Sequence, residues 1–201
     1  MTSAEIAKNV IRQSGGIAKT AQFREAGLEN YTVCALCEQG VIERVKRGFY
    51  RLADTAELTE AQLLSLLLPD AVICLESALF HYRYSDFAPR LWTVAVPRTY
   101  SRTKLKVDAV PLKAYFVQEK LFELGKMTAH IDGAPLLIYD RERTVCDCFK
   151  YRTKMDNELF NKAMNAYAAD EQKDLANLSK YAKEMGVYKK MMSVMEVLLN
   201  G

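Results

Sequence analysis

Cys34-x-x-Cys37 has the spacing of half a tetrahedral zinc site or of a redox dithiol. A zinc site needs a second pair, and the cysteines that remain are Cys74, Cys146 and Cys148, with Cys146-x-Cys148 an unusual half-site. A redox dithiol needs a βαβ setting that this stretch lacks. No metal or other cofactor is therefore expected. His81 with Asp86, or His130 with Asp132, could be drawn as acid–base pairs, but nothing positions a nucleophile beside either. Each histidine reads as structural. Asp140, Arg141, Glu142, Arg143 and Asp147 form the densest charged cluster. As an active site it would offer a carboxylate pair with arginine clamps for phosphoryl chemistry. As structure, Asp140 caps a helix and Arg143 pairs with Asp147 one turn later, and this is the preferred reading. No glycine-rich phosphate loop of either common type is present, so no nucleotide-enzyme fingerprint is found.

The remaining cluster is cationic. IERVKRGFYRL carries Arg44, Lys46, Arg47 and Arg51 on one short ribbon. Such a patch is phosphate-sized, and contacts of this kind supply most sequence-independent affinity for DNA. The competing reading is a solvated surface. A second basic stretch, RTYSRTKLK, holds Arg98, Arg102, Lys104 and Lys106 with Tyr100 among them and no acid. Cations interleaved with an aromatic can track a nucleic-acid backbone. Charged loops are also common on any surface, and here the solvated loop is preferred.

The elements that must position the ribbon lie just before it. Residues 3 to 14 read as a first helix, with Ser3 as N-cap and Ile6, Val10 and Ile11 as its buried stripe. Gly15-Gly16 ends it, and Ile17-Ala18 reads as a short extended segment paired with the ribbon. Thr20 would cap a second helix ending at Ala26, and Gly27 would break it. Lys19, just before this helix, could reach a phosphate that the free amides of the helix start also bind, so Lys19 and Thr20 are both expected among the DNA contacts. Asn30 would cap a third helix running to Gln39, with Val33, Leu36 and Cys37 facing inward. Tyr31, Thr32 and Ala35 lie on the other face, where a recognition helix meets base edges. VIERVK and FYRL, separated by Arg47-Gly48, then make a hairpin with Val45, Tyr50 and Leu52 toward the core. Helix, turn, helix and basic hairpin is the order of a winged helix-turn-helix.

The chain of 201 residues has room for a second domain, and half of its residues are apolar. The reading divides it into residues 1–54 and 60–201, with the polar stretch 53–59 as linker. The net charge of +3 is too small to imply nucleic acid by itself; only its local distribution can. Five cysteines without a disulfide framework fit a reducing compartment. No apolar run of about 18 residues is present, and MTSAEIAKNVIRQ lacks a signal-peptide core. A cytoplasmic protein with no membrane partner is expected.

Beyond the linker, a helix from about Thr59 to Leu68 precedes a buried strand at Ala71–Cys74 and a helix at Glu76–Tyr82. LWTVAVP and PLKAYFVQ read as strands, and KMTAHID and APLLIYD as a hairpin around Asp132-Gly133. From Asp140 the chain turns helical, with Val145, Cys148 and Phe149 inward and further helices near 156–169, 172–185 and 187–199. Tyr167, Leu175, Leu178, Tyr181, Met185, Met191, Met192, Met195 and Leu198 mark their apolar faces. The methionines read as flexible core rather than a partner groove. The fold class is α+β: an N-terminal winged helix-turn-helix, then a mixed sheet domain with a helical C-terminal part.

Across nearly its whole length the chain resembles the AbiEi-type antitoxins of abortive-infection systems. The phrases that carry the likeness are IERVKRGFYRL, VICLESAL, LWTVAVPR and IYDRERTVCDCFKYR, and their order and spacing are more specific than any one of them. The resemblance implies a two-domain bacterial antitoxin encoded beside a nucleotidyltransferase-like toxin. Its N-terminal domain would bind and repress the promoter of its own operon. Its C-terminal domain would counter the toxin, in many cases without a stable complex. Carried over by position, Arg44, Lys46, Arg47 and Arg51 would touch DNA, with Lys19 beside them. The recognition helix departs from the family in being poor in Lys and Arg (TVCALCEQ), which moves weight onto the wing. The chain is read as no enzyme; the alternative is an enzyme, recruited by the winged helix, that acts on nucleotides or on the toxin. Oligomeric state is left open between a dimer and cooperative monomers.

Overall fold

The computed structural model describes residues 1–54, 58–107 and 109–200, so part of the expected linker, 55–57, lies outside the described residues. Helix α1 spans Ser3–Gln13. Its cap is Thr2 rather than Ser3, because only Thr2 has a glutamate three residues on: Glu5 N donates to Thr2 Oγ1 at 3.2 Å, and Thr2 N to Glu5 Oε2 at 2.7 Å. Strand β1 (Ala18–Lys19) follows, then α2 (Thr20–Glu25) and α3 (Asn30–Glu38). Thr20 is the first residue of α2 and Lys19 is its cap. At the other end Leu28 N reaches Phe23 O at 2.8 Å and Gly27 N reaches Arg24 O at 3.0 Å, with Gly27 at φ +84°. This Schellman closure buries Leu28 and sends Glu29 out extended. Glu29, not Asn30, therefore caps α3, and its side chain makes no cap bond.

Strands β2 (Ile42–Lys46) and β3 (Phe49–Leu52) form the wing, and the small antiparallel sheet runs β1-β3-β2. Ala18 and Lys19 pair with Tyr50 and Phe49, as the extended reading of that segment anticipates. Lys46 stands opposite Phe49 across Arg47-Gly48, with Gly48 at φ +82°. Without irregularity, that turn would set Arg44 opposite Arg51. A β-bulge between Arg44 and Lys46 instead sets Arg44 opposite Tyr50 and Glu43 opposite Arg51. Val45, the extra residue, does not face the N-terminal core. That core is built on Ala7, Ile11, Phe23, Val33, Leu36, Ile42 and Leu52, with Tyr50 edge-on to Phe23 at 5.7 Å.

The second part starts with α4 (Glu60–Leu67), capped by a reciprocal Thr59–Gln62 box. Then come β4 (Val72–Ile73), α5 (Leu75–His81), β5 (Trp92–Pro97), a 3-10 turn at Arg102–Leu105 and β6 (Leu112–Val117). They are followed by α6 (Glu119–Phe122), β7 (Lys126–Ile131), β8 (Ala134–Tyr139) and α7 (Arg141–Lys150). After a 3-10 turn at Arg152–Lys154, the chain closes with α8 (Asn157–Ala169), α9 (Leu175–Glu184) and α10 (Tyr188–Asn200). The sheet order is β6-β5-β4-β8-β7, with β5/β6 and β4/β8 parallel and the other pairs antiparallel. Asp132 and Gly133 both have positive φ, +48° and +77°, as a hairpin turn whose twist matches its strands requires.

The sheet is covered on both sides. One core gathers Leu64, Leu67, Leu68, Val94, Val96, Val107, Val110, Leu136 and Ile138 under α4. The other packs Val72, Tyr115, Tyr139, Val145, Phe149 and the C-terminal helices, including Met185, Met191 and Met195. Leu175, expected on an apolar face, is 46% exposed at the start of α9. Ile17, Val45 and Phe49 from the N-terminal part join the core under α4. The wing is thus packed against the second sheet's side of the molecule. The architecture is α+β, with the helix-turn-helix and wing first, a mixed sheet next and helices last.

Candidate nucleic-acid interface

On α3 the face away from the core carries Tyr31, 77% exposed, with Thr32 and Ala35 half-buried and Cys34 exposed. The helix has no basic residue in its last turn. A base-reading surface on it would have to use an aromatic ring and a hydroxyl. Cys37 is half-buried, and burial pushes its thiol up, helped by the neighbouring Cys34.

The wing cations divide into three kinds. Arg44 and Arg47 are exposed. Arg51 is not free, because its Nε donates to Glu43, the residue that the bulge brings opposite it. Lys46 does not project into solvent; its Nζ donates to the carbonyl of Lys104. Burial, and then the charge of Lys104, hold the Lys46 ammonium below its usual pKa. Lys46 and Lys19 share the Phe49 ring, with Nζ atoms 5.6 and 5.8 Å from its centroid. At the start of α2, Lys19 N is held by Gln22 Oε1 at 2.7 Å and Thr20 N by Gly48 O at 2.9 Å. The first bond closes the start of α2 on itself and the second ties the helix to the wing tip, so neither amide stands open to the phosphate expected there from sequence.

Lys46 reaches the second basic stretch, which is folded and not a free loop. Tyr100 and Leu105 pack on the core under α4 beside buried Val107 and Val110. The four cations of the stretch separate. Arg102 stacks on Phe116 at 5.3 Å, and Arg98 leaves the end of β5 beside Glu119 and Lys150. Lys104, 5.5 Å from the Tyr100 centroid, and Lys106 turn toward the wing. Between wing and stretch lies a groove of about 900 Å³. Lys19, Arg44, Lys46, Arg47, Lys104 and Lys106 line it, with Asp70 as the carboxylate on its wall. Among the described residues, none of these cations forms an ion pair. The sequence reading did not join the two stretches. The signal available was the density of cations in both, and no pattern in the chain places one against the other.

The Asp140 cluster is structural. Asp140 Oδ1 accepts from Arg143 N at 2.7 Å and Oδ2 from Tyr181 at 3.1 Å. Arg143 is fully buried, bonded through Nε to Asp147 at 3.2 Å and through Nη1 to Leu124 O at 2.9 Å, and lies 4.0 Å from the Tyr139 centroid. Glu142 accepts from Tyr167 at 3.1 Å and from Asp174 N at 2.8 Å. Arg141 pairs with Asp170 at 3.0 Å. Asp140, Arg141, Glu142 and Arg143 thereby tie α7 to its neighbours, while Asp147 pairs with Arg143 within the helix. Burial pushes the Asp140 and Asp147 carboxyls up. Neither histidine is hydrogen-bonded to its suggested aspartate among the described residues; His81 lies edge-on to Tyr82, and burial lowers its pKa. Groups of histidine, cysteine and acid with metal-binding geometry are absent among the described residues. No helix among them is long and apolar enough to cross a membrane.

No curated protein matches the chain. Over its whole fold the chain is similar to the crystal structure of the RV2827C protein from Mycobacterium tuberculosis. The TM-score is 0.67 at 14% identity, covering 96% of this chain and 75% of that one. At that identity the likeness is one of fold. Residues 5–53, which hold α1 to α3 and the wing, match the family described as "Transcriptional regulator, AbiEi antitoxin". It is this N-terminal region, about a quarter of the chain, that is similar to the AbiEi antitoxin family of transcriptional regulators.

Proposed function

We propose that the chain represses its own toxin–antitoxin operon through residues 1–54 and counteracts a nucleotidyltransferase-like toxin through residues 60–201, in the cytoplasm and without a stable complex being required. The observation that carries the DNA half is the exposed pair Arg44 and Arg47, without an ion pair among the described residues, on the wing of a helix-turn-helix within the family match. The toxin half rests on the family's description as antitoxin. The DNA contacts assigned are Arg44, Arg47 and Lys19 to phosphate, and Tyr31 and Thr32 toward bases; Thr20 serves through its tie to the wing tip. Lys46 and Arg51 are assigned to holding the wing.

Fluorescence anisotropy tests this directly. The DNA upstream of the reading frame is titrated beside a scrambled duplex at two salt concentrations. The parent should prefer the upstream DNA and weaken as salt rises. Replacing Arg44 and Arg47 by Ala should weaken binding to both duplexes and flatten the salt dependence by about 0.9 per lost phosphate contact. Equal affinity of parent and double variant would remove the wing from the DNA contact.

A further inference from the structure

Among the described residues, six cations line the groove between the wing and the 101–106 stretch, with Asp70 as the one carboxylate. Like charges gathered without counter-charges raise the potential of a concave surface. The packing does not let them spread. Phe49 holds Lys19 and Lys46 on one wall, Tyr100 holds Lys104 on the other, and the Lys46–Lys104 carbonyl bond closes the floor. The Lys46 ammonium is held below its usual pKa, by burial first and then by the charge of Lys104. The groove also opens at the wing tip, where Arg47 is exposed. A rod of evenly spaced phosphates lying along the wing meets these cations in succession. A single small anion would meet only some of them.

We propose that this groove seats one sugar-phosphate backbone of duplex DNA, so that Lys104 and Lys106 of the second part extend the contact made by the wing. The proposal rests on the DNA-binding reading above. It assigns the second part a share in DNA affinity.

The test uses the full chain and the upstream duplex, with log affinity followed against log salt. Replacing Lys104 and Lys106 by Ala leaves the Lys104 carbonyl, and with it the tie to Lys46, in place. This pair should lower the slope by about 1.8, two phosphate contacts' worth. Arg98→Ala with Arg102→Ala removes the same charge from the same stretch outside the groove and should leave the slope unchanged. Asp70→Asn should tighten binding at low salt, a gain that misfolding cannot mimic. Equal losses from the two alanine pairs would overturn the groove in favour of diffuse charge. An unaltered slope for the Lys104/Lys106 variant, with binding lost in the Arg44/Arg47 variant, would overturn it while leaving the DNA-binding reading intact. Failure of the parent to bind would overturn both.

Discussion

At the scale of residues, the same charge means different things according to its partner. Arg143 and Asp147 look from sequence like an active-site pair, yet both side chains are buried, at 0% and 3% exposure, and bonded to each other. Removing one partner of such a pair leaves an uncompensated buried charge, with a typical loss of about 3 to 5 kcal/mol. Asp147→Ala should therefore lose stability on that scale in a denaturant titration, and a loss under about 1 kcal/mol would contradict the buried-pair account. The helix-cap role of Asp140 was legible in the sequence, because an aspartate before an i, i+4 pair is a local signal. That Arg143 also holds Leu124 O was not, since the bond depends on how the α6–β7 connection is folded against α7.

At the scale of elements, the wing shows what sequence reading reaches and where it stops. Its two strands, its Arg-Gly turn and its pairing with β1 follow from β-prone runs and a glycine. The bulge does not, because one extra residue leaves no mark on a run of alternating types. Yet the bulge decides which cation is free. By bringing Glu43 opposite Arg51 it neutralises one of the four cations counted from sequence. Glu43→Gln should release Arg51 and, on the DNA-binding reading, steepen the salt slope by about 0.9. Anisotropy on the upstream duplex measures this; an unchanged slope would mean that Arg51 stays clear of the phosphates. The α3 cap was misplaced by one residue for a similar reason, since the Schellman closure at Gly27 acts through backbone bonds that no side-chain pattern records.

At the scale of the molecule, order along the chain was legible and proximity was not. Helix caps, the Asp-Gly hairpin and the apolar runs of β4 and β5 gave the element sequence. The groove required the wing and the 101–106 stretch to meet, which only the packing of Val45, Phe49, Tyr100 and Leu105 into one core brings about. Tertiary burial also sets the response to alkali. Burial pushes the Tyr151 and Tyr181 hydroxyls up to about 12, and those of Tyr82, Tyr84, Tyr139 and Tyr167 up as well. In the unfolded chain they ionise near pH 10. Above that pH the unfolded state has lost protons that the folded state keeps, so stability falls as pH rises from about 10 through about 12. Tyrosinate absorbance from these six should then appear together with the loss of circular dichroism; their ionisation near pH 10 in an intact fold would be the contrary result.

Lys46–Phe49, Arg44–Tyr50, Glu43–Arg51 and Ile42–Leu52 are the facing pairs of the hairpin, and Val45 belongs to none of them. A chain shortened by that one residue would count out the same pairs around the same turn. What it would lack is one of the two hairpin side chains, Val45 beside Phe49, that pack on the neighbouring core. An insertion at this position thus adds a side chain to the docking of the wing, beside Phe49 and the Lys46 bond to the Lys104 carbonyl, without altering the ladder.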